Sequence, residues 1–195
     1  MSQTFEERLN QILPRITSAD FLSNEGLGNE IGFWIFDYPP EREMDMRAFL
    51  HDVIEPALAK RQPPIRSASI NLFELVTGLL QERGLLDKAI AMQKEKGDEA
   101  ALNALRSVLK EDKIAQKLMT QIDLPNLDLV TLFGVGAAYP MLRTHTLLSA
   151  LHPHLKDTPL LMLFPGRYDG YSLRLFNKLN EDHYYRAFRL VPEAH

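Results

Sequence analysis

The chain has no cysteine among its 195 residues. That excludes a disulfide framework, a thiolate-held zinc or iron–sulfur centre and a thiol nucleophile. No apolar run approaches the roughly 18 residues of a membrane-spanning helix. The opening stretch, MSQTFEERLNQILPRI, carries acids early and lacks the apolar centre of a signal peptide. A cytoplasmic protein without membrane contact is therefore expected. Charge of one sign is also missing: 22 bases face 26 acids, a net charge of −4. That balance argues against nucleic-acid binding by bulk charge. Internal repeats and low-complexity segments are absent.

What is present is ordinary globular composition, 45% hydrophobic and 25% charged. A chain of this length buries about 70% of its unfolded surface. It reads as one α/β domain over residues 1–195. Phe5, Leu9, Ile12, Leu13 and Ile16 recur at helical spacing, and Thr4 with Glu7 resembles a capping box, so 4–18 is predicted helical. EIGFWIFDY (30–38) reads as a strand buried on both faces, ended by Pro39 and Pro40. A second helix is predicted over 43–61, with a kink or early end at Pro56. Residues 65–73 begin as a strand and run into a helix ending at Gly84.

Residues 85–122 are helical in composition and broken at Gly97-Asp98. The connection is longer than one crossover helix needs, so a helical pair is predicted as an insertion. LVTLF (129–133) and LLMLF (160–164) are continuous apolar strands. A helix beginning near Pro140 joins them. The second is predicted to close in a loop at PGRYDG. Residues 171–179 look helical, and YYRAFRL (184–190) looks like a last strand. Alternating strands and helices predict a mostly parallel sheet of about five strands, Rossmann-like and three-layered.

In such a sheet, ligands bind beyond the carboxyl ends of the strands. Asp37, Tyr38, Gly134, Gly136, Tyr139, Arg143 and Arg167 map there and form the candidate ligand or anion site. Two glycines ahead of a helix permit close approach of a phosphate. The dinucleotide fingerprint is incomplete, because Tyr139 stands where a small residue belongs, and there is no P-loop. A tight strand-to-helix turn explains the glycines as well. Asp37 is expected to cap a helix or bind an arginine, with Arg143 as its partner. His145 and His152 lie seven apart and His154 follows Pro153, which is not zinc-ligand spacing. No G-x-S-x-G elbow occurs. No catalytic constellation, metal site or cofactor is expected.

Charge is uneven along the chain. Residues 1–45 carry nine acids and three bases, and 165–192 carry five bases and three acids. Tyr168, Arg174, Tyr184, Tyr185 and Arg186 combine the residue types that interfaces enrich, and are the candidate partner surface.

IGFWIFDYPPE (31–41), INLFELV (70–76), LFGVGAAYPMLRTHTLLSAL (132–151), LFPGRYDGYSLRLF (163–176) and YYRAFRL (184–190) occur in that order. Together they resemble the BrxB family of BREX phage-defence systems, over nearly the whole chain. The most specific pieces are Gly-x-Gly-x-x-Tyr-Pro-x-x-Arg at 134–143 and Pro-Gly-x-Tyr-x-Gly at 165–170, followed by Tyr-Tyr-Arg-Ala-Phe at 184–188. The resemblance implies a bacterial, cytoplasmic component of a phage-resistance complex, and the missing catalytic constellation makes it a non-catalytic interaction subunit that bridges other BREX proteins through the carboxyl-terminal segment or the inserted helices. Its implied partners are other BREX proteins: an alkaline-phosphatase-like component, a large ATPase and a methyltransferase. Direct contact with nucleic acid is not expected. The alternative is a degenerate nucleotide or phosphate binder using the strand-end site.

Overall fold

The computed structural model describes residues 3–24, 32–155, 157–181 and 187–192. The capping box forms: Glu7 N donates to Thr4 Oγ1 at 3.2 Å, and Thr4 N donates to Glu7 Oε2 at 2.8 Å. The helix it starts is split into α1 (Phe5–Leu9) and α2 (Ile12–Ile16), with α3 (Ala19–Leu22) after them. β1 (Phe33–Tyr38) then enters the sheet. The next helical segment comprises α4 (Glu43–Phe49), a π-helical turn (Leu50–Ile54) and α5 (Glu55–Lys60). The interruption expected at Pro56 thus takes the form of a widened turn just before it. A proline cannot donate the backbone hydrogen bond that a regular α-helix requires there.

β2 (Ser67–Asn71) leads into α6 (Leu72–Glu82). Three helices, not a pair, occupy the long connection: α7 (Leu86–Lys96), α8 (Asp98–Leu105) and α9 (Glu111–Gln121). They differ in kind. α9 buries Ile114, Ala115 and Leu118 completely against α6 and the long helix over 144–155, whereas α7 buries no residue. β3 (Leu129–Phe133) is followed by α10 (Val135–Ala138) and α11 (Thr144–Leu155). α11 starts four residues beyond Pro140, with Tyr139 to Arg143 forming a turn ahead of it. β4 (Leu160–Tyr168), β5 (Leu173–Leu175), β6 (Leu179–Glu181) and β7 (Phe188–Arg189) complete the sheet.

The strand order β2-β3-β4-β1-β7 is joined by parallel pairings, while β5 pairs antiparallel with β4, and β6 with β5. The result is a mixed sheet of seven strands, where a mostly parallel, Rossmann-like sheet of about five is expected. The difference lies in residues 165–181. Pro165 to Tyr168 continue β4 instead of forming a loop. Residues 171–179 make a hairpin instead of a helix: Leu173 and Leu175 are buried, and Arg174 between them is exposed. Phe176 and Asn177 both have positive φ, 54° and 60°, as a tight hairpin turn demands. A connection this short permits only antiparallel pairing.

Alternation along the central strands divides the apolar interior in two. Ile35, Val130, Leu132, Leu160 and Met162 face a core filled by α6, α9 and α11. Phe36, Tyr38, Leu129, Leu161 and Leu163 face a second core built by the segments from α1 to α5. Each fully buried leucine here contributes on the order of 2 kcal/mol. On the edge of the sheet, Arg66 grips Asp128 with two guanidinium hydrogen bonds, at 2.7 and 3.1 Å, and its backbone N donates a third at 2.8 Å. The side-chain hydrogen bonds from Arg66 hold the Asp128 carboxyl below its ordinary value. The clamp therefore stabilises the fold fully above about pH 4, the unfolded value, and is lost as pH falls through the lower folded value. Asp128→Asn is expected to flatten the acid limb of a urea-midpoint profile measured from about pH 6 to 2. An unaltered profile would remove Asp128 from the acid transition.

Candidate functional site

Parallel pairing carries Asp37 and Tyr38 to the carboxyl end of β1, with Tyr38 in register with Pro165 of β4. Asp37 is 2% exposed. Its Oδ1 accepts from Arg8 Nη2 at 2.5 Å, its Oδ2 accepts from Tyr168 N at 2.9 Å, and Arg189 Nη2 stands 3.6 Å from Oδ2. The arginine partner is therefore Arg8 of α1, not Arg143. The guanidinium of Arg8 also lies over the Phe36 ring, 4.9 Å from its centroid. Tyr38 is buried, and its hydroxyl donates to Glu43 Oε2 at 2.5 Å. Burial first, and the Glu43 charge second, push its ionisation well above the usual tyrosine value, so it stays neutral.

At both glycines the space a side chain would take is filled by the protein itself. Gly134 has φ 74°, and a Cβ there would stand 2.5 Å from Asn71 Oδ1. That oxygen caps α6, accepting from Phe73 N at 3.1 Å. A Cβ on Gly136 would meet the Phe176 ring at 2.7 Å and Pro165 at 3.3 Å. Close packing against the protein's own side chains explains both glycines, and the helix that follows Gly134 and contains Gly136 has four residues.

The expected ligand set thus divides. Asp37, Tyr38 and Arg167 line one cavity of about 300 Å³, together with Arg8, Arg174 and Asn177. Arg143 is exposed and lines a different cavity, of about 430 Å³, with Arg106 and Glu111. Tyr139 borders an apolar groove of about 420 Å³ between α6, α7 and α8. The two larger spaces share Leu102, Pro140 and Met141. Phe73 and Ile90 on the groove are 40% and 41% exposed.

Of the expected partner surface, Tyr168 is fully buried, its hydroxyl donating to the carbonyl of Ala187 at 2.7 Å with that of Gly170 at 3.1 Å. Its aromatic bulk is core and not surface. Arg174 is exposed and donates from Nε to Asn180 Oδ1 at 2.8 Å. Tyr184, Tyr185 and Arg186 lie outside the described residues. Among the described residues no group of three or more His, Asp or Glu side chains could hold a metal ion, and no helix is long and apolar enough to cross a membrane. Arg8 escaped the reading by motif, yet it stands three residues after Phe5 and four before Ile12, on the buried stripe of the first helical segment. A charge at such a position signals a buried pair.

A family model described as "BREX protein BrxB" matches residues 68–190. The chain belongs to the BrxB family. The match takes in both the glycine turn and the β4–β5 hairpin. The chain is 43% identical over 191 residues to a "BREX protein BrxB" of Bacillus cereus (strain H3081.97), covering 96% of this chain and 97% of that one. It is 41% identical over 189 residues to a "BREX protein BrxB" of Escherichia coli O9:H4 (strain HS), covering 97% and 92%. No solved structure matches the chain. Membership of the BrxB family makes other BREX proteins the natural place to look for partners.

Proposed function

We propose that the chain is a non-catalytic interaction subunit of a BREX phage-resistance complex. It docks on another BREX protein, of which the alkaline-phosphatase-like component, the large ATPase and the methyltransferase are the candidates. The observation that carries this reading is the groove between α6, α7 and α8. It is lined by Phe73, Leu86, Ile90, Leu102 and Met141, and its two exposed large apolar side chains, Phe73 and Ile90, keep about two fifths of their surface in water. Apolar patches of this kind mark contact surfaces. The adjoining cavity adds Arg106 and Arg143. The surface therefore suits an amphipathic segment whose apolar face fills the groove and whose acidic end meets the two arginines.

The test is co-purification with tagged chain from cells expressing the neighbouring BREX proteins. Phe73→Asp combined with Ile90→Asp should lower the recovered partner at least about tenfold, as loss of an interface anchor does. Both positions are substantially exposed, so the melting temperature should move by no more than about 2 °C. Full recovery of the partner by the double variant would refute the groove. Loss of recovery on Tyr185→Ala or Arg186→Ala, with the groove variant unaffected, would move the interface to the carboxyl-terminal segment.

A further inference from the structure

The five-residue strand β2 closes one side of the sheet, and among the described residues no strand lies on its outer edge. All five of its residues keep part of their surface in water, whereas all five of β3 are buried. β3 and α6 are the elements packed most closely against it. One bond sets the direction of its backbone groups. Leu129 N donates to the carbonyl of Arg66. Along a strand, the residues that bond to a given neighbour alternate. Arg66, Ala68 and Ile70 therefore turn their backbone toward β3, and Ser67 and Ser69 turn their N–H and C=O outward. Among the described residues no backbone hydrogen bond beyond those of the sheet reaches either serine.

An open edge is a template for another strand, and proteins blunt it with charge, proline or a bulge. Ser67–Asn71 has none of these. Its sequence, SASIN, is uncharged and free of proline, and its register with β3 runs from Ser67–Leu129 to Asn71–Phe133 without a skipped residue. The other outer strands are shorter and charged. β6 has three residues and ends in Glu181, and β7 has two, one of them Arg189.

We propose that β2 pairs antiparallel with β2 of a second copy of this chain, about a two-fold axis at Ser69, so that two sheets become one. A two-fold contact must be self-complementary. Here Ser69 meets its own counterpart, and the two exchange both N–H···O bonds of a hydrogen-bonded pair. The outward carbonyl of Ser67 accepts from the outward N–H of Asn71 in the other copy. Ser67, Ala68 and Ser69 are small, so nothing bulky stands where the strands approach to about 4.8 Å. Charge selects the direction. The chain entering β2 brings exposed Lys60 and Arg61, while Arg66 there is already offset by Asp128 and Asp123. The chain leaving it brings exposed Glu74, in the first turn of α6. Antiparallel pairing sets the acidic end of each copy beside the basic end of the other, and parallel pairing sets like beside like.

The test is sedimentation velocity of the purified full chain with no BREX protein present, so the outcome does not depend on the docking groove. The 22.3 kDa monomer should give way to a dimer as concentration rises, with a dissociation constant between about 1 and 100 µM for so short a seam. A monomer alone up to about 500 µM would overturn the proposal. Ser69→Pro removes an N–H that β3 does not use, at an edge position where proline is tolerated. It should weaken dimerisation at least about tenfold while the chain stays folded. A folded Ser69→Pro chain that dimerises like the parent would overturn the seam. Reversing one charge, by Arg61→Glu or by Glu74→Lys, should weaken dimerisation at least about threefold, and combining the two should restore it. Because the double variant is judged by recovery, misfolding cannot imitate the expected result. A double variant no better than either single one would overturn the antiparallel arrangement.

Discussion

Replacing Asp37 by alanine is expected to destabilise the fold by about 3–5 kcal/mol, the cost of leaving a buried charge without its partner. Arg8 is 7% exposed and Asp37 2%, and they meet at 2.5 Å. Removing the carboxylate leaves the Arg8 guanidinium buried against Phe36, brings it no new acceptor, and also strands the N–H of Tyr168. Asp37→Asn keeps an oxygen for Tyr168 N and should cost less. The double variant Arg8→Met, Asp37→Leu removes both charges and should recover much of the loss, because desolvating an ion pair consumes most of what its attraction provides. It will not recover all, since the Tyr168 N–H stays unmet at a cost of about 1–3 kcal/mol. Urea midpoints of the four chains, read with a common slope, measure this. A single variant within about 1 kcal/mol of the parent would show that water reaches the pair.

Gly166→Ala is the second substitution with a large expected effect. A Cβ at that position would lie 2.1 Å from the carbonyl oxygen of Arg174 and 3.0 Å from the Phe164 ring. The oxygen is backbone, on the strand directly paired with β4, so it cannot turn aside as a side chain would. β5 must move outward, taking buried Leu173 and Leu175 with it. Overpacking a core costs about 1–3 kcal/mol, and a backbone collision belongs at or above the upper end. Gly136→Ala is the informative contrast. Its nearest neighbour is the ring of half-buried Phe176, which can shift, so the cost should be clearly smaller. Equal losses in the two variants would mean that the hairpin gives as readily as a phenyl ring.

The elements that the sequence specified well are those with one dominant signal. LVTLF forms β3 over the residues expected, because five apolar residues in a row have no exposed face to offer. Thr4 and Glu7 cap the first helix because the two hydrogen bonds of a capping box are local. The hairpin is not legible in the sequence, for a different reason. Leu173 and Phe176 have helical spacing, and its turn is built on Phe176 and Asn177, not on the Asn-Gly pair that announces such a turn. Pro165-Gly166 looked like the end of a strand, whereas the glycine is there because β5 passes too close for any side chain. The site was half legible. Asp37, Tyr38 and Arg167 were found as strand-end residues. Arg8 and Arg174 were not joined to them, since which helix covers which strand end is decided by packing and not by local pattern. For the same reason the sequence alone does not distinguish Arg8 from Arg143 as the partner of Asp37.

The widened turn at Leu50–Ile54 bears on chain length. Met46, Leu50, Ile54 and Leu58 are all buried and all four residues apart. At about 100° per residue, four α-helical residues over-rotate by about 40°, so three such steps would swing Leu58 about 120° off the sheet. A turn closed by i→i+5 bonds takes more residues to come round and absorbs that drift. The segment is thus one residue longer than a regular helix with the same buried face would be. A spacing of four, three and four would hold the same face without the bulge. Related chains are accordingly free to differ by one residue between Leu50 and Ile54 while every contact with the sheet is preserved.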